Sequence, residues 1–241
     1  MTEMISFGAG VNSVAMTIML IEQGWRGPVV FADTGGEHPD TYCYLEYFER
    51  DYLKPRGMEI TRLAPGSEWH EPRQNCSLYQ FCFDRGIIPL AMTKWCSVEW
   101  KQEPQRRWLE AHGITTRLIG FALDESNRVK DYPGLSYPLI DAGITRAECG
   151  RIIQRAGLLA PKKSGCFYCP SQSVAAWRAL HYEYPDLYEQ AIALEENATA
   201  RAGQVVTLDA HGISLRQHLE RRWQGQMEMD LSDWLPCACR L

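Results

Sequence analysis

The chain of 241 residues is 45% hydrophobic and 23% charged, with a formal net charge of −5 at pH 7. At roughly 150 residues per domain, that length makes one large domain, or one with an appended piece, and buries a core without disulfide staples. Disorder, collagen and coiled coil are excluded by composition, and the mild acidity disfavours a broad nucleic-acid-binding face.

Met4 to Phe7 reads as a short strand ending in the turn Gly8-Ala9-Gly10, after which Asn12 and Ser13 cap a helix running to Gln23 and closed by Gly24. The longest apolar run, about Val14 to Ile21, lies in that helix. It falls short of the ~20 residues that cross a bilayer, so no membrane span is expected. Pro28 introduces a second strand, Val29 to Ala32, followed by Asp33-Thr34-Gly35-Gly36. A helix starts at Asp40 or Thr41 and ends before Pro55. Glu59 to Leu63 is a third strand, Ser97 to Ala111 a helix, and Thr116 to Phe121 a further strand. Strands separated by helices predict an α/β fold: a Rossmann-like, mostly parallel sheet with helices on both faces.

The remainder is more helical. Thr145-Arg146-Ala147-Glu148 forms a capping box before a helix that stops at Gly157. Ser173 to His181 and Pro185 to Arg201 are helical, and Ser214 caps a last helix carrying Arg221 and Arg222. The expected division is a nucleotide-binding core over residues 1–140 and a helical, cysteine-bearing extension over 141–241.

Nine cysteines are the unusual entry in the composition. Glu3 stands where a signal peptide wants a basic residue, so the chain is expected in the cytoplasm. There an odd number of thiols argues against a disulfide framework and for fillers, catalytic groups or metal ligands. Cys43 and Cys149 fall within helical patterns and read as packing residues, whereas Cys76 and Cys82 stay undecided. Cys166-x-x-Cys169 followed by Pro170 has the spacing of iron–sulfur or zinc ligation. Cys96 and the terminal pair Cys237 and Cys239 are the natural further ligands. None of the six histidines sits in a metal or triad motif; His38 alone lies near the proposed site.

Three loops at strand ends carry candidate binding residues. Between Ser6 and Ser13, glycines let backbone N–H groups approach an anion at a helix N-terminus, although the loop is neither a Walker A motif nor G-x-G-x-x-G. Asp33 follows the second strand, where an acidic group commonly meets a ribose hydroxyl. Arg128, after Gly120 through Glu125-Ser126, offers a cation for a phosphate or sulfate.

Taken in order, these residues resemble a known family. Gly10-Val11-Asn12-Ser13, Phe31-Ala32-Asp33-Thr34-Gly35, Lys94-Trp95-Cys96-Ser97 with Lys101 and Pro104, Gly120 through Arg128, Pro138-Leu139-Ile140 and Gly165-Cys166-x-x-Cys169-Pro170 follow one another. The set resembles the phosphoadenylyl-sulfate reductase family of the adenine-nucleotide α-hydrolase (PP-loop) superfamily. It is most similar to the iron–sulfur sulfurtransferase branch that includes the sulfur-inserting enzyme of DNA phosphorothioation. The resemblance covers roughly residues 4–200.

It implies that Ser6, Gly8, Gly10, Asn12 and Ser13 cradle the phosphates of ATP, with Mg2+ a candidate companion, and that Asp33 and Thr34 lie beside the adenosine. Lys94, Lys101 and Arg128 are the implied cations near the transferring group. Cys96, Cys166 and Cys169 are the implied ligands of a [4Fe–4S] cluster, with Cys239 or its neighbour Cys237 as the fourth and Cys82 the poorer choice. The superfamily loop reads Ser-Gly-Gly-x-Asp-Ser, and here Gly8, Ala9 and Asn12 depart from it. Backbone donation survives those changes, whereas the lost aspartate bears on metal-assisted ATP cleavage.

The expected activity is ATP-dependent sulfur transfer, with a cysteine desulfurase or sulfide as donor. DNA, tRNA and a small molecule are all open as acceptor. Arg106-Arg107, Lys162-Lys163 and Arg221-Arg222 are the basic pairs that a nucleic-acid path would use, against the plainer reading of solvated helix faces. The rival expectations are a sulfonucleotide reductase with a terminal nucleophilic cysteine, and a zinc-stabilised nucleotide-binding module without catalysis.

Overall fold

A computed structural model describes residues 2–220. Five short strands form one sheet: β1 (Glu3–Ser6), β2 (Val29–Ala32), β3 (Ile60–Leu63), β4 (Thr116–Ile119) and β5 (Leu135–Ser136). They lie in the order β3-β2-β1-β4-β5, and every pairing is parallel. All four residues of β2, Val29 through Ala32, are buried, as expected of a strand covered on both faces. The strand order reverses between β1 and β4. In an open parallel sheet, the crevice beyond the carboxyl ends of such a pair is where ligands bind.

Helix α1 (Val11–Glu22) crosses from β1 to β2 and buries Val14, Ala15, Met16 and Ile18. It packs with α7 (Arg146–Arg155), whose Cys149, Ile152 and Ile153 enter the same core. Helix α2 (Pro39–Phe48) starts with Pro39 in its first turn, and the His38 side chain accepts from the Asp40 amide at 3.3 Å. A π turn (Glu49–Leu53) and a 3₁₀ turn (Lys54–Arg56) extend it. Phe48 stacks between Phe7 and Tyr52, each ring pair 5.3 Å apart, and joins this layer to the sheet. On the opposite face, Trp108 and Ile114 cover Met4, Val30 and Leu63; Trp108 belongs to α5 (Glu103–Ala111).

A second core lies beside the sheet. It joins α3 (Leu78–Arg85), α4 (Trp95–Ser97) and the π turn Val98–Gln102 to α8 (Val174–Glu183), α9 (Pro185–Ala202) and α10 (Leu215–Glu220). Trp100, Trp177 and Tyr188 are its large buried side chains. The carboxylate of Glu195, only 2% exposed, accepts from the amides of Leu208 and Leu215 at 2.6 and 2.7 Å. That pair of bonds ties the segment after α9 to the start of α10. A short α6 (Pro138–Asp141) follows β5.

Differences from the sequence reading have local causes. Helix α1 begins at Val11 with Gly10 as its cap, and Ser13 works from inside the first turn: its Oγ accepts from the Gly10 amide (3.1 Å) and donates to the Gly10 carbonyl (3.0 Å). Strand β4 stops at Ile119 because Gly120 closes onto α1. Helix α3 was not expected, since only its buried residues Leu78, Phe81 and Cys82 supply an apolar pattern. No helix among the described residues is long and apolar enough to cross a membrane.

Candidate functional site at the carboxyl edge of the sheet

The loop leaving β1 turns sharply because Ala9, buried in the core, takes a left-handed conformation (φ 53°) that glycine adopts without strain. The chain then enters α1, whose first-turn amides have no partners inside the helix and whose dipole favours an anion. Gly120 at the end of β4 faces this turn so closely that a Cβ there would lie 2.9 Å from the Ser13 nitrogen and Cα. The switch-point crevice is therefore built on the missing side chain of Gly120. Ser6 Oγ donates to Gln105 Oε1 at 2.7 Å, which ties β1 to α5.

Asn12 connects the loop to its rim. Its amide donates to Glu125 (2.5 Å), and its carbonyl accepts from Arg146 (3.4 Å). Glu125 also receives Arg128, whose guanidinium lies over the Phe121 ring at 4.3 Å. Asn12, where the family loop carries aspartate, thus joins a carboxylate and two arginines at the mouth of the crevice.

At the end of β2, Asp33 accepts from the Gly35 amide and the Tyr42 hydroxyl, both at 2.7 Å. Burial, then the hydrogen bond to Asp33, pushes the Tyr42 phenol far above its usual range. Thr34 is fully buried; its hydroxyl donates to Glu37 at 2.9 Å and lies 3.1 Å from Cys166 Sγ. This contact exists because Glu37 and Cys166 form an antiparallel bridge, in which the His38 amide donates to the Gly165 carbonyl (2.7 Å) and the Phe167 amide to Gly36 (3.1 Å). Gly36 allows it, since a Cβ there would lie 2.8 Å from the Tyr168 ring.

Glu37, itself buried, pairs with Lys101 Nζ at 2.7 Å and accepts from Cys166 Sγ at 3.6 Å. Burial opposes the Lys101 ammonium, but the Glu37 carboxylate, together with Cys166 and Cys169, holds the lysine above its ordinary range. Cys166 is pushed well up, first by burial and then by that same carboxylate.

The remaining thiols gather behind this bridge. The Cys169 amide donates to the Cys166 carbonyl at 3.1 Å, closing the turn that presents both sulfurs. Cys96 sits in the first turn of α4, entered through Lys94 in a left-handed conformation (φ 48°). Burial raises the Cys96 thiol, and the neighbouring Cys169 raises it further. Cys82 on α3 is pushed up to about 12, by burial first and then by Cys96 and Cys76. Among the described residues no three His, Cys, Asp or Glu side chains converge closely enough to hold a single metal ion.

The structure thus brings Ser6, Gly8, Gly10, Asn12 and Ser13 to one loop, with Asp33, Thr34 and Lys101 beside Cys166, Cys169 and Cys96. Ser164 Oγ lies 3.1 Å from where a Gly10 Cβ would stand, so the cysteine turn and the β1–α1 loop adjoin. Arg128 faces the loop through Glu125, whereas Lys94 is exposed and shapes the chain. Cys237, Cys239, Arg221 and Arg222 lie outside the described residues. The other basic pairs are engaged. Arg106 binds Glu103 (2.6 Å) and Glu110 (2.5 Å), Arg107 binds Glu71, Lys162 bridges Asp40 and Glu183 at 3.0 Å each, and Lys163 donates to the Ser171 carbonyl (2.9 Å).

Sequence reasoning missed Glu37 and Gln105, and it ranked Cys82 behind Cys237 and Cys239 as a ligand. Glu37 carries no local signal, because only the bridge to Cys166 gives a buried carboxylate its partners. His38 caps α2 and meets Tyr184 edge-on at 5.0 Å.

A parallel sheet of this order, with a glycine-bearing turn at its switch point, is a Rossmann-like α/β architecture, the kind that places ligands at the carboxyl ends of its strands. Residues 2–136 match the phosphoadenosine phosphosulfate reductase domain, and the chain belongs to that family. No curated protein matches the chain. Among solved structures it is similar to a phosphoadenylyl-sulfate (PAPS) reductase from Candida auris in a phosphate complex. That similarity has a TM-score of 0.48 and 17% identity, covering 68% of this chain and 80% of that one. It is also similar to the U34-tRNA thiolase NcsA from Methanococcus maripaludis with its [4Fe-4S] cluster. Here the TM-score is 0.46 at 12% identity, over 95% of this chain and 82% of that one.

Proposed function

We propose that the protein is an ATP-dependent sulfurtransferase that adenylates an oxygen of its acceptor and replaces that oxygen with sulfur. The observation that carries this reading is the 3.1 Å contact between Thr34 and Cys166, which sets the thiol site against the nucleotide edge of the sheet. The Gly8–Ser13 turn and the N-terminus of α1 bind the ATP phosphates, with Mg2+ on the triphosphate, and Asp33 takes the ribose. Arg128 and Arg146, now held by Glu125 and Asn12, turn to the phosphates as charge builds on them. The acceptor oxygen attacks the α-phosphorus and pyrophosphate leaves. Hydrosulfide then forms the new bond to sulfur as the oxygen departs with AMP. Sulfur comes from a cysteine desulfurase or from free sulfide.

The donor set fits a [4Fe–4S] cluster: Cys96, Cys166 and Cys169 are soft thiol ligands that influence one another electrostatically around one partly buried site. Once bound, the cluster would supply an iron–sulfur centre and its redox chemistry beside the nucleotide edge. The protein's own part is to orient these thiols through Thr34, Glu37 and Lys101 and to keep water from them.

The family match over residues 2–136 favours a second reading, a sulfonucleotide reductase in which a thiolate attacks the sulfur of an adenylyl sulfate. Anaerobic purification with iron, zinc and sulfide analysis, followed by turnover assays, separates the readings. AMP and pyrophosphate formed from ATP only with sulfide and an acceptor (tRNA, DNA or a small molecule) support the sulfurtransferase. Sulfite released from an adenylyl sulfate without ATP supports the reductase. A colourless zinc protein inactive in both assays overturns both.

A further inference from the structure

We propose that Cys82 completes the thiol set, so that Cys82, Cys96, Cys166 and Cys169 hold the iron–sulfur cluster without Cys237 or Cys239. The inference rests on the cluster-bearing sulfurtransferase reading and assigns the ligand that reading lacks.

Helix α3 is wedged between the two segments that supply the other three thiols. On one side Phe81 meets Trp95, the neighbour of Cys96, at 6.3 Å, and Trp100 edge-on at 5.5 Å. On the other, Tyr79 meets Phe167 and Tyr168, the two residues between Cys166 and Cys169, at 5.6 Å each. The start of the helix is fixed to the site as well: the Leu78 amide donates to the carbonyl of Thr34 at 2.8 Å, and Thr34 is the residue that touches Cys166.

Cys82 stands three and four residues after Tyr79 and Leu78, on the helix face those contacts define. Its side chain is wholly buried in the core against which Cys96 and Cys166 pack. Tyr168, which stands between Cys166 and Cys169, is buried in the same core as Cys82, so an open ring of thiols surrounds one region.

Cys149 provides the contrast. It is equally buried, but its charged neighbours are Arg146, Asp124, Glu125 and Glu148, with no cysteine among them. Of the two wholly buried cysteines among the described residues, Cys82 sits among thiols and Cys149 does not. The ring also suits a cluster better than one ion. Zinc at ~2.3 Å from each sulfur draws its ligands to about 3.8 Å apart, whereas a cluster spreads four thiolates over four irons.

The test is iron and acid-labile sulfide per chain, with near-visible absorption and electron paramagnetic resonance of the reduced protein, on anaerobically purified full-length variants. C82A and C82S are expected to lose most of the iron and sulfide and the wild-type resonance. C149A, which removes an equally buried thiol, keeps both, as does the double variant C237S/C239S. C82S preserves side-chain volume and covers the case in which C82A fails to fold, with circular dichroism checking each. Wild-type iron in folded C82A and C82S overturns the assignment, as does loss of iron from C237S/C239S. A wild-type protein without iron overturns the cluster reading itself and this assignment with it.

Discussion

Glu37 occupies a position that no local pattern marks, yet it is bonded to three groups that otherwise have little in common: a threonine hydroxyl, a lysine ammonium and a cysteine thiol. A carboxylate survives burial only when paired in this way. Replacing it with glutamine keeps the volume but removes the charge that holds Lys101 protonated against its burial. Glu37→Gln is expected to lower the unfolding free energy by about 1–3 kcal/mol in urea titrations. It should also make the Lys101 amine more reactive toward acylating reagents; unchanged stability and unchanged labelling would contradict the pairing. At this scale the sequence showed Asp33, Thr34 and Cys166 because strand ends and C-x-x-C spacing are local signals. Glu37 and Gln105 stayed hidden because their partners lie far along the chain, 129 residues away for Cys166 and 99 for Ser6.

Two elements carry separable predictions. The turn between β4 and α6 approaches α1 only because Gly120 lacks a side chain. A methyl group there meets backbone, which cannot swing aside, so Gly120→Ala should cost about 1–3 kcal/mol in stability. Under the proposed function it should also weaken ATP binding by roughly tenfold or more, since ~1.4 kcal/mol at the loop is a factor of ten. Calorimetric titration with ATP measures this, and wild-type affinity would refute the close packing.

At the other end, Glu195 is held up at about 7 from an ordinary 4.5, chiefly by burial and despite the amides of Leu208 and Leu215. Its proton is bound more tightly in the folded chain than in the unfolded one. Its contribution to stability is therefore full below pH ~4.5 and is lost as pH rises toward 7, for a total of about 3 kcal/mol. Stability measured from pH 5 to pH 8 should fall more steeply in the wild type than in Glu195→Gln; parallel curves would exclude this titration. The sequence revealed most such elements wherever a cap or a strand run was present, as in the Thr145 capping box, which the structure reproduces. It missed α3, whose apolar side chains face a core completed by helices roughly a hundred residues later.

At the scale of the whole molecule, the mostly parallel sheet was legible because strand runs alternate with helices, whereas β5 and the second core were not. Residues 78–100 precede β4 in the chain, yet they pack with the helices that follow residue 174. Charge tells a similar story. Arg106, Arg107 and Lys162 each carry a carboxylate partner, and the net charge is −5. Non-specific affinity for random duplex DNA is accordingly expected to be weaker than ~10⁻⁶ M at physiological salt. Fluorescence anisotropy checks this, and tighter binding with a steep salt slope would show a basic face that these ion pairs do not provide.

The two-residue bridge between Glu37 and Cys166 also limits how this chemistry can be moved or inherited. The turn from Ser164 to Pro170 looks like a cassette, a compact motif that could be transplanted onto another sheet. Its sulfur is placed, however, by a segment 129 residues earlier in the chain, through Thr34 and the bare backbone of Gly36. A graft that carries only the cysteines would bring the atoms without their address. Engineering, or descent with modification, has to treat residues 33–38 and 164–169 as one unit of exchange.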